Sequence, residues 1–377
     1  MHVRSGQTEK ESLHTYIQKG IKMTELHQSG SSSAPGRRIL YLDYLRILAT
    51  LAVILLHISA QNWREVGVNT YQWQIFNFCD SISRWCVAVF VMISGALFLS
   101  RRRSIRSIYS HNILRLVTAA LFWGVIYALI LGGTPGQILL YTIRGRYHMW
   151  FIPMIIGIYI CIPIIEKITE SSSVTGYFLI LTLVFAFLLP QFTNLAEDFG
   201  GSFLNEIVSA INENIEDMDL HFVLGYTGYF ILGFCLSKID FSRKQRRLLY
   251  LAGAAGFVFT AGISACVSLK TQVSRGTYYD DFTVNVLLES VAVFLLLKYH
   301  CPQWTISEKV ILILSKYSFG AYLAHVLILE QLKRMGLTTL TFTPLLSVPL
   351  IFFITAVFSF GISAVIHQVP VLKKYVV

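Results

Sequence analysis

An all-α fold, a polytopic membrane bundle of about ten transmembrane helices, is what the sequence predicts. Three observations carry that expectation. First, 54% of the 377 residues are hydrophobic and only 14% charged, with a mean hydropathy of +0.59, whereas soluble domains lie nearer about 45–50% apolar and about 25% charged. Second, the apolar residues are gathered into blocks of roughly 15–24, close to the length a helix needs to cross about 30 Å of hydrocarbon. Third, the blocks are continuous rather than alternating. Lipid offers backbone amides no partners, so a span is a helix or part of a closed barrel, and continuous blocks exclude barrel strands.

Taken in order, the expected spans are 39–61, 81–100, 110–131, 149–166, 175–190, 222–238, 248–267, 284–298, 310–330 and 343–366. Residues 1–38 precede them as a polar arm with no apolar run, ending in the linker Ser29-Gly30-Ser31-Ser32-Ser33-Ala34-Pro35-Gly36. That composition predicts a disordered cytoplasmic tail before one membrane domain, 39–377, with Met23 an alternative start to Met1. The arm carries no signal-peptide core, and the chain shows neither an internal repeat nor a separate soluble domain.

The loops fall into two sets. Arg37, Arg38, Arg101, Arg102, Arg103, Arg106, Lys167, Lys238, Arg243, Lys244, Arg246, Arg247, Lys298, Lys309, Lys373 and Lys374 lie on one side. Arg64, Arg144, Arg146, Lys270, Arg275, Lys333 and Arg334 lie on the other, a division of sixteen against seven. Positive charge favours the cytoplasm, so both termini of this multi-pass chain are expected inside. The segment 191–221 carries acidic residues and no Lys or Arg, and is expected outside. The net charge of +10 follows this loop pattern and does not indicate a nucleic-acid partner. Six cysteines show no C-x-x-C pair and no metal spacing, and read as structural.

The first span carries a polar stripe. Eleven residues separate Arg46 from His57, about 1100° of helical rotation, so the two share a face about 16 Å apart along the axis. Asp43, one turn before Arg46, lies on the same side. Ionisable groups within a bilayer cost about 2.5–3.5 kcal/mol each to insert and face a bundle interior or a pathway. Asp43 and Arg46 can form an ion pair near the inner surface, with His57 a core histidine or a catalytic one. His148, which opens the fourth span at its outer end, and His325, towards the outer end of the ninth, also fall in the outer half. Histidine titrates near neutrality and can take a proton from a hydroxyl during group transfer. Three imidazoles can also hold zinc, although nothing in the spacing calls for a metal. No nucleophile-elbow motif is present.

Asp80 and Arg84, spaced i,i+4, read as a structural pair. Glu289, within the eighth span and on one face with Asn285, is either functional or paired to a structural donor. Ser94-Gly95 reads as a close helix-packing point rather than a nucleophile.

Several segments together resemble the acyltransferase 3 family of bacterial multi-span membrane O-acyltransferases that modify cell-surface glycans. They are Arg46-x10-His57; Phe90-Val91-Met92-Ile93-Ser94-Gly95; Tyr147-His148-Met149-Trp150-Phe151-Ile152-Pro153; Tyr229-Phe230-Ile231-Leu232-Gly233; and Ser318-Phe319-Gly320-Ala321-Tyr322-Leu323-Ala324-His325. The resemblance runs from residue 39 nearly to the C-terminus. It implies transfer of an acyl group, commonly acetyl, from cytoplasmic acyl-CoA to a hydroxyl of an envelope glycan or lipid-linked sugar. It makes His57 the catalytic histidine with Arg46 its partner, beside Asp43. Arg115 and Arg46 are then the donor-binding arginines. Some members carry Arg-x-x-Arg where this chain reads Asn112-Ile113-Leu114-Arg115, so only Arg115 matches. His111 or the run from Arg101 to Arg106 is then the expected source of further positive charge. His148, Trp150, Tyr322, His325 and Glu289 are the candidates for the acceptor side. Besides the donor, the acceptor and membrane lipids, no cofactor or metal is expected. The competing reading is a transporter of a small polar substrate or acylated intermediate, since buried charge also marks transport paths. Against it, no pair of Gly/Pro-interrupted spans occupies matching positions in two halves.

Overall fold

Backbone amides inside hydrocarbon must close their hydrogen bonds within their own segment, and the chain does so. The computed structural model describes residues 39–218, 220–301 and 306–377. Among these every regular element is helical. The expected disordered arm, 1–38, lies outside the described residues.

Helices α1 (Leu40–Ser59), α2 (Tyr71–Ser81), α3 (Cys86–Phe98), α4 (Leu114–Leu131) and α5 (Pro135–Arg144) are followed by α6 (Phe151–Thr169) and α7 (Ser172–Thr182). Next come α8 (Leu189–Phe199), α9 (Ser202–Asp217), α10 (His221–Lys238), α11 (Arg243–Thr271), α12 (Val284–His300), α13 (Glu308–Arg334), α14 (Pro344–Ile366) and α15 (Pro370–Tyr375). Nine helical stretches among the described residues are long and apolar enough to cross a membrane, and they coincide with nine of the expected spans. The remaining expected span, 222–238, is α10, a helix whose backbone breaks at Gly225. The protein is an all-α polytopic bundle.

Several spans are longer than the sequence suggests, and in two of them the reason is plain. The second begins at Tyr71, ten residues before the expected start. Its first half contains Asn77 and Asp80, which lower its apolarity, but both find a partner inside the bundle. The Asn77 amide donates to the Ala261 carbonyl at 3.0 Å, and Asp80 pairs with Arg84 at 2.6 Å. The fifth continues to Phe199 despite Pro190. A proline ring clashes with the carbonyl four residues before it, and the wide π-helical turn Leu183–Leu188 makes room there.

Helix α1 is central, packed against α2, α3, α12, α13 and α14. Helices α3 and α10 make the tightest seam. A Cβ placed on Gly95 would lie 1.7 Å from the Phe230 carbonyl oxygen, and one on Gly233 would lie 2.1 Å from that of Met92. The two backbones therefore touch, and only glycine allows it. Ser94-Gly95 is the packing point its sequence suggests, with the Ser94 hydroxyl returned to the Phe90 carbonyl at 3.1 Å.

Gly95→Val should prevent this seam from closing. Overpacking typically costs about 1–3 kcal/mol, and a clash with backbone sits at or above the upper end. Thermal unfolding in detergent should show a lower midpoint and less monodisperse protein. Gly157→Ala, where no atom lies within 4 Å of the added carbon, should leave the midpoint unchanged. Equal behaviour of the two variants would remove the seam from the account.

Candidate active site

Helix α1 presents its stripe to an internal cavity of about 760 Å³. Arg46, Arg115, Lys316, His367 and Lys373 line one end. His57, Arg84, His148, Trp150, Tyr226, Asp280 and Asp281 line the other. Between them the wall is apolar and aromatic, with Val53, Leu56, Phe90, Phe151, Phe319 and Tyr322. Helical rise separates the two ends of the α1 stripe by about 16 Å.

At the Arg46 end, Asp43 is buried and off the cavity wall. The Ser315 hydroxyl of α13 donates to Asp43 and receives Arg46 Nη1 at 3.1 Å, while Arg46 and Asp43 approach to 3.6 Å. Asp43 thus holds Arg46 in place from behind. Arg115 reaches the same end because the π-helical turn Ile108–Ile113 swings the start of α4 inward. It donates to the Val377 carbonyl, and Thr118 donates to that of Tyr375, tying the segment after α14 to α4.

The sequence suggests His111 or Arg101–Arg106 as the source of further positive charge. Those residues are not on the cavity wall. His111 is exposed against Ser110, Arg102 pairs with Glu170 at 3.1 Å, and Arg103 stacks on Phe98. Lys316, His367 and Lys373 line the wall instead. His367 bonds to the Ser363 carbonyl at 2.8 Å and meets Tyr317 edge to face at 4.8 Å. Burial, and then the charges of Lys316, Arg115 and Lys373, hold its imidazole below the ordinary histidine value, against the raising effect of the Ser363 bond.

At the other end three imidazoles gather, with ring centroids 4.9 Å (His57–His325), 5.0 Å (His148–His325) and 6.4 Å (His57–His148) apart. His57 Nδ1 lies 2.9 Å from the Val53 carbonyl and 3.2 Å from His325 Nε2. A carbonyl can only accept, so Nδ1 carries the hydrogen and the lone pair of His57 is on Nε2. His325 Nδ1 in turn faces the Tyr322 carbonyl, which leaves its Nε2 as an acceptor for His57. His325 is fully buried and sits behind His57, away from the cavity wall.

His148 and Trp150 come from the 3-10 turn Tyr147–Trp150 that opens α6. His148 Nε2 lies 3.3 Å from the Leu323 carbonyl, its backbone carbonyl receives the Tyr322 hydroxyl, and its buried Nδ1 has no protein partner. Among the described residues no group of His, Cys, Asp or Glu is arranged to hold a metal ion. Glu289 lies apart. It is buried between α11 and α12, where Thr260 donates to it at 2.6 Å and Asn285 donates to Thr260 at 2.8 Å.

A family model described as an acyltransferase domain matches residues 39–367. The chain belongs to the acyltransferase 3 family. No curated protein and no solved structure matches it. As a member of that family the protein is a membrane acyltransferase, and the family match covers both ends of the cavity.

Sequence reasoning missed Tyr127 of α4. Its hydroxyl donates to the Leu323 carbonyl at 2.7 Å and accepts the Leu327 amide at 3.1 Å, so it stands astride the turn of α13 that carries His325. No linear motif marks it, because the pairing exists only once α4 and α13 meet. Tyr127→Phe should cost about 1–2 kcal/mol, the usual loss for an uncompensated buried hydrogen bond. Hydrogen exchange at the Leu327 amide should quicken while amides of α11 remain unchanged. Unaltered exchange at Leu327 would show that the hydroxyl does not brace the turn.

Proposed function

We propose that this acyltransferase moves an acyl group, acetyl in the first instance, from cytoplasmic acyl-CoA to a hydroxyl of an envelope glycan or lipid-linked sugar. The observation that carries this reading is the single cavity with cationic residues at one end and His57, its Nε2 lone pair unprotonated, at the other. Guanidinium and ammonium groups suit the phosphates of CoA, and the pantetheine arm is long enough to lead the thioester along the apolar middle of the cavity towards His57. With the basic loops inside, the cationic end opens to the cytoplasm and the histidine end to the outer side of a bacterial inner membrane.

In the step proposed, His57 Nε2 takes the proton of the acceptor hydroxyl as its oxygen attacks the thioester carbonyl. The carbon–sulfur bond breaks, and the proton passes from His57 to the departing thiolate. General-base assistance of this kind contributes about 10²–10⁴ in rate. His325 holds the His57 ring in the reactive tautomer, and Tyr322 and His148 brace the wall beside it.

His57→Ala should abolish transfer of labelled acetyl from acetyl-CoA in proteoliposomes, with CoA binding and the thermal midpoint retained. Turnover per folded molecule close to wild type would sink this mechanism and favour transport instead.

CoA itself is the probe for the cationic end. Arg115→Ala should weaken its binding about tenfold at low ionic strength and less at high, since screening reduces both affinities towards each other. His367, held below the ordinary histidine value, is neutral at pH 7 and gains charge only as the pH falls through that lowered value. CoA affinity of the wild type should therefore rise on acidification relative to His367→Ala, measured by calorimetry at pH 7.5 and 5.5. Parallel pH profiles for the two proteins would exclude His367 from the phosphate end.

A further inference from the structure

The wall beside His57 carries polar groups that the proposed proton transfer does not use. Asp281, just before α12, accepts the Tyr226 hydroxyl on one carboxylate oxygen at 2.7 Å. The Tyr226 ring lies 5.8 Å from that of Trp150, and Trp150 is 43% exposed on the cavity wall. Arg84, also on the cavity wall, is tied to Asp80 at 2.6 Å, makes a long contact, 3.4 Å, to the Tyr279 carbonyl, lies over the Tyr279 ring at 4.4 Å, and keeps 20% of its side chain exposed. Arg84 and Asp281 are near enough for their charges to act on each other, and Arg84 acts on His57 as well.

The sequence reads Asp80–Arg84 as a structural ion pair, and the pair does form. What the fold adds is that the guanidinium is also part of the cavity wall, which it shares with a carboxylate from the turn before α12. A carboxylate accepts from adjacent hydroxyls, a guanidinium donates to hydroxyl oxygens, and an indole face covers the C–H face of a pyranose ring. With Asp80 already offsetting Arg84, Asp280 and Asp281 leave this end of the cavity negative. That balance disfavours uronic acids and sugar phosphates.

We infer that Trp150, Tyr226, Asp281 and Arg84 form the acceptor subsite, and that the group it takes is an uncharged polyhydroxylated ring, a neutral sugar. The inference rests on the acyl-transfer reading and specifies its acceptor. The sugar stacks on Trp150, donates hydroxyls to Asp281, receives Arg84, and so turns one further hydroxyl towards His57.

The test separates binding from transfer. Saturation-transfer NMR on the full chain in detergent is run with methyl glucoside, methyl glucuronide and glucose 6-phosphate. Methyl glucoside should receive saturation at its ring protons and the two anions should not. Asp281→Asn should raise the KM for methyl glucoside by about tenfold or more, the usual effect of losing hydrogen bonds to a charged group, with the KM for acetyl-CoA unchanged. Because Asp281 also holds Tyr226, Trp150→Ala provides a second variant, which should lose the saturation signal on its own. Equal saturation of glucoside and glucuronide, or a wild-type signal in both variants, would overturn the inference. Sugar binding as expected but no acetyl transfer by the wild type would instead sink the acyl-transfer reading and leave the subsite standing.

Discussion

Polar groups carried into hydrocarbon must find partners on neighbouring helices, and in this protein that requirement fixes how α1 sits on α13. The two helices are joined at two levels. Ser315 bridges Asp43 and Arg46, and about three turns further on His325 meets His57. The intervals match, eleven residues along α1 and ten along α13. A slip of one residue would rotate both ties out of register by about 100°. The same contacts that satisfy costly groups therefore set the relative height of the residues on the cavity wall.

The cavity inherits its polarity from this arrangement. Residues from four separate stretches of chain, at 46, 115, 316 and 367–373, converge on one end, and none of them is adjacent to another in sequence. The opposite end combines imidazoles from α1 and α6's opening turn, backed by the buried one from α13, with acids from the approach to α12. Charge of one sign is thereby kept about three helical turns away from charge of the other, separated by aromatic and aliphatic side chains rather than by water.

Much of this was legible in the sequence, for identifiable reasons. Span positions follow from block hydrophobicity, and the Arg46–His57 stripe from helical periodicity, both local properties. The placing of His57, His148 and His325 in the outer half follows from the orientation of their spans. What escaped were properties of contact. Tyr127 looks like any aromatic residue of a lipid-facing span, yet its hydroxyl is shared between Leu323 and Leu327. His325 reads as a substrate ligand until its position behind His57 is known. Lys373 reads as ordinary inner-surface charge, nothing in the sequence singles out Lys316 or His367, and the arginine run 101–106 looks the better candidate because it is denser. Density along the chain says nothing about direction, and those side chains point outward. The early start of the second span was hidden for the opposite reason: Asn77 and Asp80 look like loop residues until Ala261 and Arg84 are in place.

The glycine seam between α3 and α10 has a mechanical side. Where two helices meet through side chains, rotamer changes give the interface some compliance. Where peptide groups themselves are in contact, there is nothing soft to compress. Gly95 and Gly233 thus weld α3 and α10 into a single stiff panel that forms one wall of the cavity. Any widening needed to admit a bulky acceptor or release a long thioester must come from the helices around that panel. Among them α4 and α6 bury much less of their length inside the protein, so fewer packed contacts hold them in place than hold the panel itself.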